Sequence, residues 1–374
     1  MPEHTSIRIP TELLPADGRF GSGPTKVRAE TLASLADAGQ TYMGTSHRRP
    51  TVRAMVGRVR EGLTDLFGLP EGYEVVLGNG GATGFWDAAT FGLIERRSQH
   101  LCFGEFSSKF ARAVNGAPHL DAPELIEASP GTHPMPVPSD RIDLYGLTHN
   151  ETSTGVTMPI KRVAGEGLTV VDATSAAGGT PVDPEELDVY YFSPQKAFGG
   201  DGGLFVALCS PRAIERIERI AASDRWIPPF LSLESAVSNS RKDQTYNTPA
   251  LATIFMLADT VEWINSRGGL AWSAARCAEN AAILYDWAES HPMAYPFVTD
   301  PSIRSRVNAT IDFEQPVSGD YLAATLRANG VVDTESYRKL GRNQLRIGLW
   351  PTIPPTDVEA LTACLDYVIE ATSS

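Results

Sequence analysis

A chain of 374 residues can bury a large core and divide into two domains. Charged residues are 21 % and apolar residues 42 %, which excludes a disordered or fibrous chain, and a formal net charge of −13 argues against nucleic acid or an acidic membrane as partner. Residues 1–15 carry prolines and acidic groups where a signal peptide has a basic then an apolar run, no apolar segment approaches the ~20 residues of a membrane span, and Cys102, Cys209, Cys277 and Cys364 lack CxxC or metal-ligand spacing, so a soluble cytoplasmic protein with reduced thiols, no bound metal and a locally basic site for any anionic substrate is expected.

In chain order, the first feature is 17–24, in which Gly18, Gly21 and Gly23 let backbone pass close to a neighbour; read alone it is a tail crossing the surface. The basic loop 44–50, with Ser46-His47-Arg48-Arg49, precedes a helix, since Val52, Met55, Val56, Val59, Leu63, Leu66 and Phe67 recur at helical spacing and Gly68 with Pro70 ends the run. Residues 73–77 read as a strand that enters Gly78-Asn79-Gly80-Gly81-Ala82-Thr83, with a helix over 85–93 behind it. A strand, glycine loop and helix start turn free N–H groups toward an anion, usually phosphate, although this loop is neither GxGxxG nor Walker A and nucleotide is disfavoured.

Short apolar runs at 100–103, 142–147, 168–171, 189–192 and 204–208 then alternate with helix-length segments, the pattern of a mostly parallel α/β sheet. The run 168–171 ends in Asp172 and the run 189–192 in Ser193-Pro194-Gln195-Lys196. Two parallel strands thus deliver a carboxylate and an amine to one C-terminal sheet edge, where open α/β sheets bind ligands. That pair suggests pyridoxal phosphate (PLP), whose aldehyde needs a lysine for an internal Schiff base and whose pyridine nitrogen needs an anion. A solvated lysine and a turn-capping aspartate account for the two residues equally well. Two further strand ends lead to Gly104-Glu105-Phe106-Ser107 and to Thr148-His149-Asn150-Glu151-Thr152; taken singly these are a core phenylalanine and a helix cap.

A surface helix over 211–221, a rigid turn at Trp226-Ile227-Pro228-Pro229-Phe230 and the polar loop 243–250, with Asn247-Thr248-Pro249, lead into a long apolar helix over 251–264. Gly268-Gly269 punctuates the chain. The division expected is an N-terminal arm 1–20, a large domain 21–267 and a small domain 268–374, the last with helices over 270–290, 321–328 and 357–371 and strands near 307–313 and 344–349. A second basic cluster spans 337–346.

Taken together and in this order, the basic loop, the glycine loop, Asn150-Glu151-Thr152, Asp172, Gln195-Lys196 and Asn247-Thr248-Pro249 resemble the phosphoserine aminotransferases, class V, fold-type I PLP enzymes. The resemblance is closest to their actinobacterial form and runs from about Phe20 to the C-terminal helix. It implies an α/β fold-type I transferase, with a mostly parallel central sheet flanked by helices and a smaller α+β C-terminal domain. It implies Lys196 as the Schiff-base lysine and proton carrier, Asp172 as partner of the pyridinium nitrogen, Thr152 on the phenolic oxygen and Phe106 stacked on the ring. Ala82, Thr83 and Gln195 resemble the phosphate set, completed by Asn247 and Thr248 of a neighbouring subunit, hence a homodimer with shared sites. His47 and Arg48, also across the interface, would meet the substrate's distal phosphate or carboxylate, and Arg346 its α-carboxylate; Arg49, Arg338 and Arg342 are further candidates.

Phe106 stands where many members have tryptophan and Thr83 where they have arginine, and the histidine-arginine pair before the carboxylate arginine is not matched within 339–345. The activity implied is reversible amino transfer from L-glutamate to 3-phosphohydroxypyruvate, giving O-phospho-L-serine and 2-oxoglutarate in serine biosynthesis, with the 4-phosphohydroxythreonine reaction of pyridoxine biosynthesis as a second. The alternatives are an alanine-glyoxylate type of class V transaminase and a non-catalytic PLP-binding protein. A cysteine desulfurase is disfavoured because Cys102 and Cys209 fall in or beside strands.

Overall fold

The structure, a computed structural model, describes residues 7–373; the first six residues of the expected arm lie outside that span. Its strands are β1 (Glu74–Asn79), β2 (Ser98–Cys102), β3 (Glu124–Glu127), β4 (Leu144–Thr148), β5 (Asn150–Glu151), β6 (Val156–Thr157), β7 (Leu168–Asp172), β8 (Val189–Phe192), β9 (Leu204–Cys209), β10 (Ala294–Pro296), β11 (Asn308–Phe313) and β12 (Gln344–Gly348). The helices are α1 (Ala29–Tyr42), α2 (Pro50–Phe67), α3 (Gly81–Gly92), α4 (Ser107–Asn115), α5 (Pro211–Ala221), α6 (Leu233–Ser240), α7 (Leu251–Asn265), α8 (Gly269–Ser290), α9 (Gly319–Ala328) and α10 (Pro355–Ser373).

Seven strands form the main sheet in the order β1-β9-β8-β7-β4-β2-β3, with β9 alone running against its neighbours. The C-terminal ends of the others therefore share one edge. Strands β7, β8 and β9 are buried at every position, which is why they read as unbroken apolar runs. Their side chains still alternate between faces. Tyr190 and Phe192 pack with α2 and α7, whereas Val189 and Tyr191 pack with α3, α4, α5 and α6. A third apolar cluster joins α8, α9 and α10 to the antiparallel sheet β10-β11-β12.

Two readings are corrected. The helix after the glycine loop starts at Gly81, ahead of the expected 85, because Gly80 at φ 108° turns β1 directly into α3. The segment 17–24 is not a surface tail. Phe20 is fully buried, the Gly348 amide donates to Phe20 O at 2.7 Å, and Trp350 Nε1 donates to Gly21 O at 2.8 Å. Helices α1, α4 and α6 and strand β3 went unread. Among the described residues no helix is long and apolar enough to cross a membrane, and no cluster of His, Cys, Asp and Glu is arranged to hold a metal ion. The four cysteines are free and buried.

Candidate active site

The shared C-terminal edge of the sheet carries a cavity of about 420 Å³. Its walls are the β1–α3 turn, the start of α4, the segment after β4, the ends of β7 and β8, and Gly23-Pro24 from the buried N-terminal segment. The parallel pairing of β7 with β8 brings Asp172 and Lys196 to it together, as the two runs implied.

Lys196 is only 8 % exposed, and its Nζ donates to Ser22 O at 2.5 Å. Burial, then the charge of Arg346, lower its pKa to about 7, against the opposing pull of Asp172 and Glu151. Near neutral pH a large share of this amine is unprotonated and nucleophilic. The approach of backbone is tight. A Cβ on Gly23 would lie 2.4 Å from Lys196 Nζ, and Gly23 has φ 121°, so glycine alone fits there.

Asp172 is buried, accepts the Thr174 amide at 2.9 Å and is held above the usual carboxylate range by burial. The His149 amide donates to Asp172 O at 2.9 Å, its Nδ1 shares a hydrogen bond with the Tyr190 hydroxyl at 2.9 Å, and burial lowers its pKa to about 4, so the ring is neutral. A buried carboxylate without a cationic partner is costly, and a cation beside it would restore its ionised form.

At the opposite end, α3 begins at Gly81 with no side-chain cap, leaving its first N–H groups free beside Ala82 and Thr83, which line the cavity. Gln195 lines it too, and its buried Oε1 has no partner, as is true of Thr174 Oγ1. Phe106 and Thr152 complete the walls. The Arg346 guanidinium stands just behind, Nη1 3.4 Å from Thr152 O and 5.2 Å above the Tyr337 ring, with Nε unpartnered.

His47, Arg48, Asn247 and Thr248 do not line this cavity. They form a second group, in which His47 Nδ1 lies 3.3 Å from Thr248 Oγ1 and Asn79 Nδ2 donates to Asn247 Oδ1 at 2.7 Å. Arg48 is exposed. Arg342 is committed elsewhere, bound to Asp312 of β11 and stacked 4.6 Å from the Phe297 ring. Lys109 and Trp86 are residues the sequence reading did not name, and Glu151 was named within the Asn150-Glu151-Thr152 run without a role of its own. Lys109 and Trp86 line the cavity, and Glu151 is buried behind it.

A mostly parallel sheet displaying a buried amine, a buried carboxylate and an uncapped helix N-terminus at one edge defines a PLP-dependent transaminase fold, and residues 137–334 match the model of the class-V aminotransferase family. The chain belongs to that family. A phosphoserine aminotransferase from a Nocardioides species is 58 % identical over 369 residues, covering 98 % of this chain and 99 % of its own. That of Rhodococcus jostii is 57 % identical over 363 residues, covering 96 % and 97 %. Within class V the chain therefore belongs with the phosphoserine aminotransferases.

Solved structures share the fold. The phosphoserine aminotransferase of Cytophaga hutchinsonii aligns at TM-score 0.87 and 24 % identity over 94 % of this chain and 99 % of that one. A PLP-bound phosphoserine aminotransferase of Trichomonas vaginalis aligns at 0.79 and 20 % identity over 94 % and 99 %. The cofactor of the class-V aminotransferases is pyridoxal 5′-phosphate. The residues present fit it: an unprotonated amine for the aldehyde, a buried carboxylate for the ring nitrogen, and uncapped helix N–H groups at the phosphate end.

Proposed function

We propose that this chain moves an amino group reversibly from L-glutamate to 3-phosphohydroxypyruvate, giving O-phospho-L-serine and 2-oxoglutarate. The observation that carries the reading is the pairing of buried Lys196, its pKa near 7, with buried Asp172 in one cavity. When bound, the cofactor supplies an electron sink for negative charge at the substrate α-carbon.

Lys196 Nζ would hold the aldehyde and would then carry the α-proton, which an amine with a pKa near neutrality can both accept and release. Asp172 would keep the ring nitrogen protonated, Thr152 would donate to the phenolic oxygen, and Phe106 would pack on the ring. The N–H groups at Ala82 and Thr83, with the Gln195 side-chain NH₂, would hold the phosphate. Arg346 clamps the substrate α-carboxylate as a planar fork.

The distal anion, a carboxylate in glutamate and a phosphate in phosphoserine, is met by His47 and Arg48 of a neighbouring subunit, whose Asn247 and Thr248 reach the cofactor phosphate. This homodimer reading is supported by the grouping of those four residues away from their own cavity. It is supported as well by exposed Trp226 (74 %), Phe230 and Tyr246, the last two beside Asn247. The separate apolar cluster of α8, α9 and α10 supports a division into a large domain to about 267 and a small one from 268. Cytoplasmic residence, serine biosynthesis and a second reaction on 4-phosphohydroxythreonine in pyridoxine biosynthesis complete the reading.

The visible spectrum of the purified protein tests it. Its yellow chromophore should bleach with O-phosphoserine and with glutamate but not with alanine or cysteine. Bleaching by alanine and not by phosphoserine would overturn the substrate, and no chromophore after adding PLP would overturn the whole reading.

A further inference from the structure

Two lysines line the cavity, and the reading above uses only one. The other, Lys109, lies in the first turn of α4, where the positive end of the helix dipole opposes a cation. It is partly buried and forms no ion pair among the described residues. The acidic residue nearest it in sequence, Glu105, is already engaged by Arg112 and Lys339. Instead its ammonium rests 4.8 Å from the centre of the Phe106 ring and 5.6 Å from that of Trp86, both cavity walls. Two π faces fix the charge in place without neutralising it. Trp86 stands one helical turn beyond Ala82 on α3, so the ammonium is held near the end of the cavity where the free N–H groups gather. Lys109 is among the charges that lower the pKa of buried Lys196, so its own charge acts on the cavity and is not cancelled there by a carboxylate partner.

We infer that Lys109 is a binding residue for a phosphate monoester in this cavity. It supplies there the side-chain positive charge that Thr83, Ala82 and Gln195 lack. This rests on the proposed function, and the phosphate is either the cofactor's or the substrate's. The two sources differ in what losing the charge does.

The test uses full-length K109Q, K109M and K109R. K109M keeps the apolar stem on the two rings, and K109R keeps the charge. Affinity of the cofactor-free protein is measured for PLP and for unphosphorylated pyridoxal, and KM of the loaded enzyme for O-phosphoserine and glutamate. Loss of a charge-assisted contact should cost roughly 10- to 100-fold in affinity. If K109Q and K109M lose that factor for PLP but not pyridoxal, and K109R recovers it, the cofactor phosphate is the ligand. If PLP affinity holds while KM for the two anionic substrates rises by that factor, the substrate is. Equal losses for PLP and pyridoxal, or no change in any quantity, would overturn the inference. A wild-type protein that bound no PLP would instead bring down the function it rests on.

Discussion

Lys196 shows how far a single side chain is governed by what surrounds it. Its pKa falls from 10.5 to about 7, so in the cofactor-free protein the nucleophilic amine appears as pH rises through about 7. The rate of PLP uptake is therefore expected to climb between about pH 6 and 8 and then level off. A stopped-flow profile still rising toward pH 10 would show an unshifted lysine. Between about 7 and 10.5 the folded state binds fewer protons at this site than the unfolded one, so stability of the cofactor-free protein rises with pH across that window. Gly23→Ala sets its Cβ against the movable end of this lysine at a backbone angle costly for alanine. The variant should fold with a loss of about 1–3 kcal/mol and bind little PLP, as chemical denaturation and the visible spectrum would record. Lys196 and Asp172 were legible because each follows an unbroken apolar run. Lys109 was not, since its role depends on rings from two helices, one of which was not read.

At the scale of elements, the start of α4 depends on a carboxylate from β5. Glu151 is fully buried and accepts the amides of Phe106 at 3.3 Å, Ser107 at 2.7 Å and Ser153 at 3.1 Å, as well as the Ser153 hydroxyl at 2.7 Å. All four partners are donors. Glu151→Gln would turn an NH₂ group toward a donor, leaving a buried hydrogen bond unmade at a cost of about 1–3 kcal/mol. The expected outcome is a lower denaturation midpoint together with weaker PLP binding, because Phe106 loses its anchor; unchanged values in both would remove Glu151 from the site's support. The buried strands and the long helices α2, α7 and α8 were legible from hydrophobic pattern alone. Helix α1 was not, burying only Thr31 and Tyr42, nor was the half-exposed edge strand β3. Neither presents a clear apolar stripe or alternation.

At the scale of the molecule, the proposed exchange of His47, Arg48, Asn247 and Thr248 between subunits has a measurable signature. Lys196→Ala and Arg48→Ala proteins should each be inactive toward phosphoserine. Refolded together in equal amounts, they should regain about a quarter of wild-type activity, because half of the dimers then carry one intact site of two. No regain, with mixed dimers demonstrated, would place those residues in their own chain's site. The sequence order alone carried the sharing by resemblance, while the cavity's walls, drawn from strand ends and from the N-terminal segment, are a product of the folded chain. That segment has one more implication. Ser22 and Gly23 flank Lys196, yet Gly21 is tied to Trp350, 329 residues later. The segment is also tied to Gln195 through the Thr25 amide and to Val332 through Gly18 and Phe20, so the wall that frames the Lys196 amine is pinned from three distant parts of the chain and is complete only when the C-terminal portion has joined the fold.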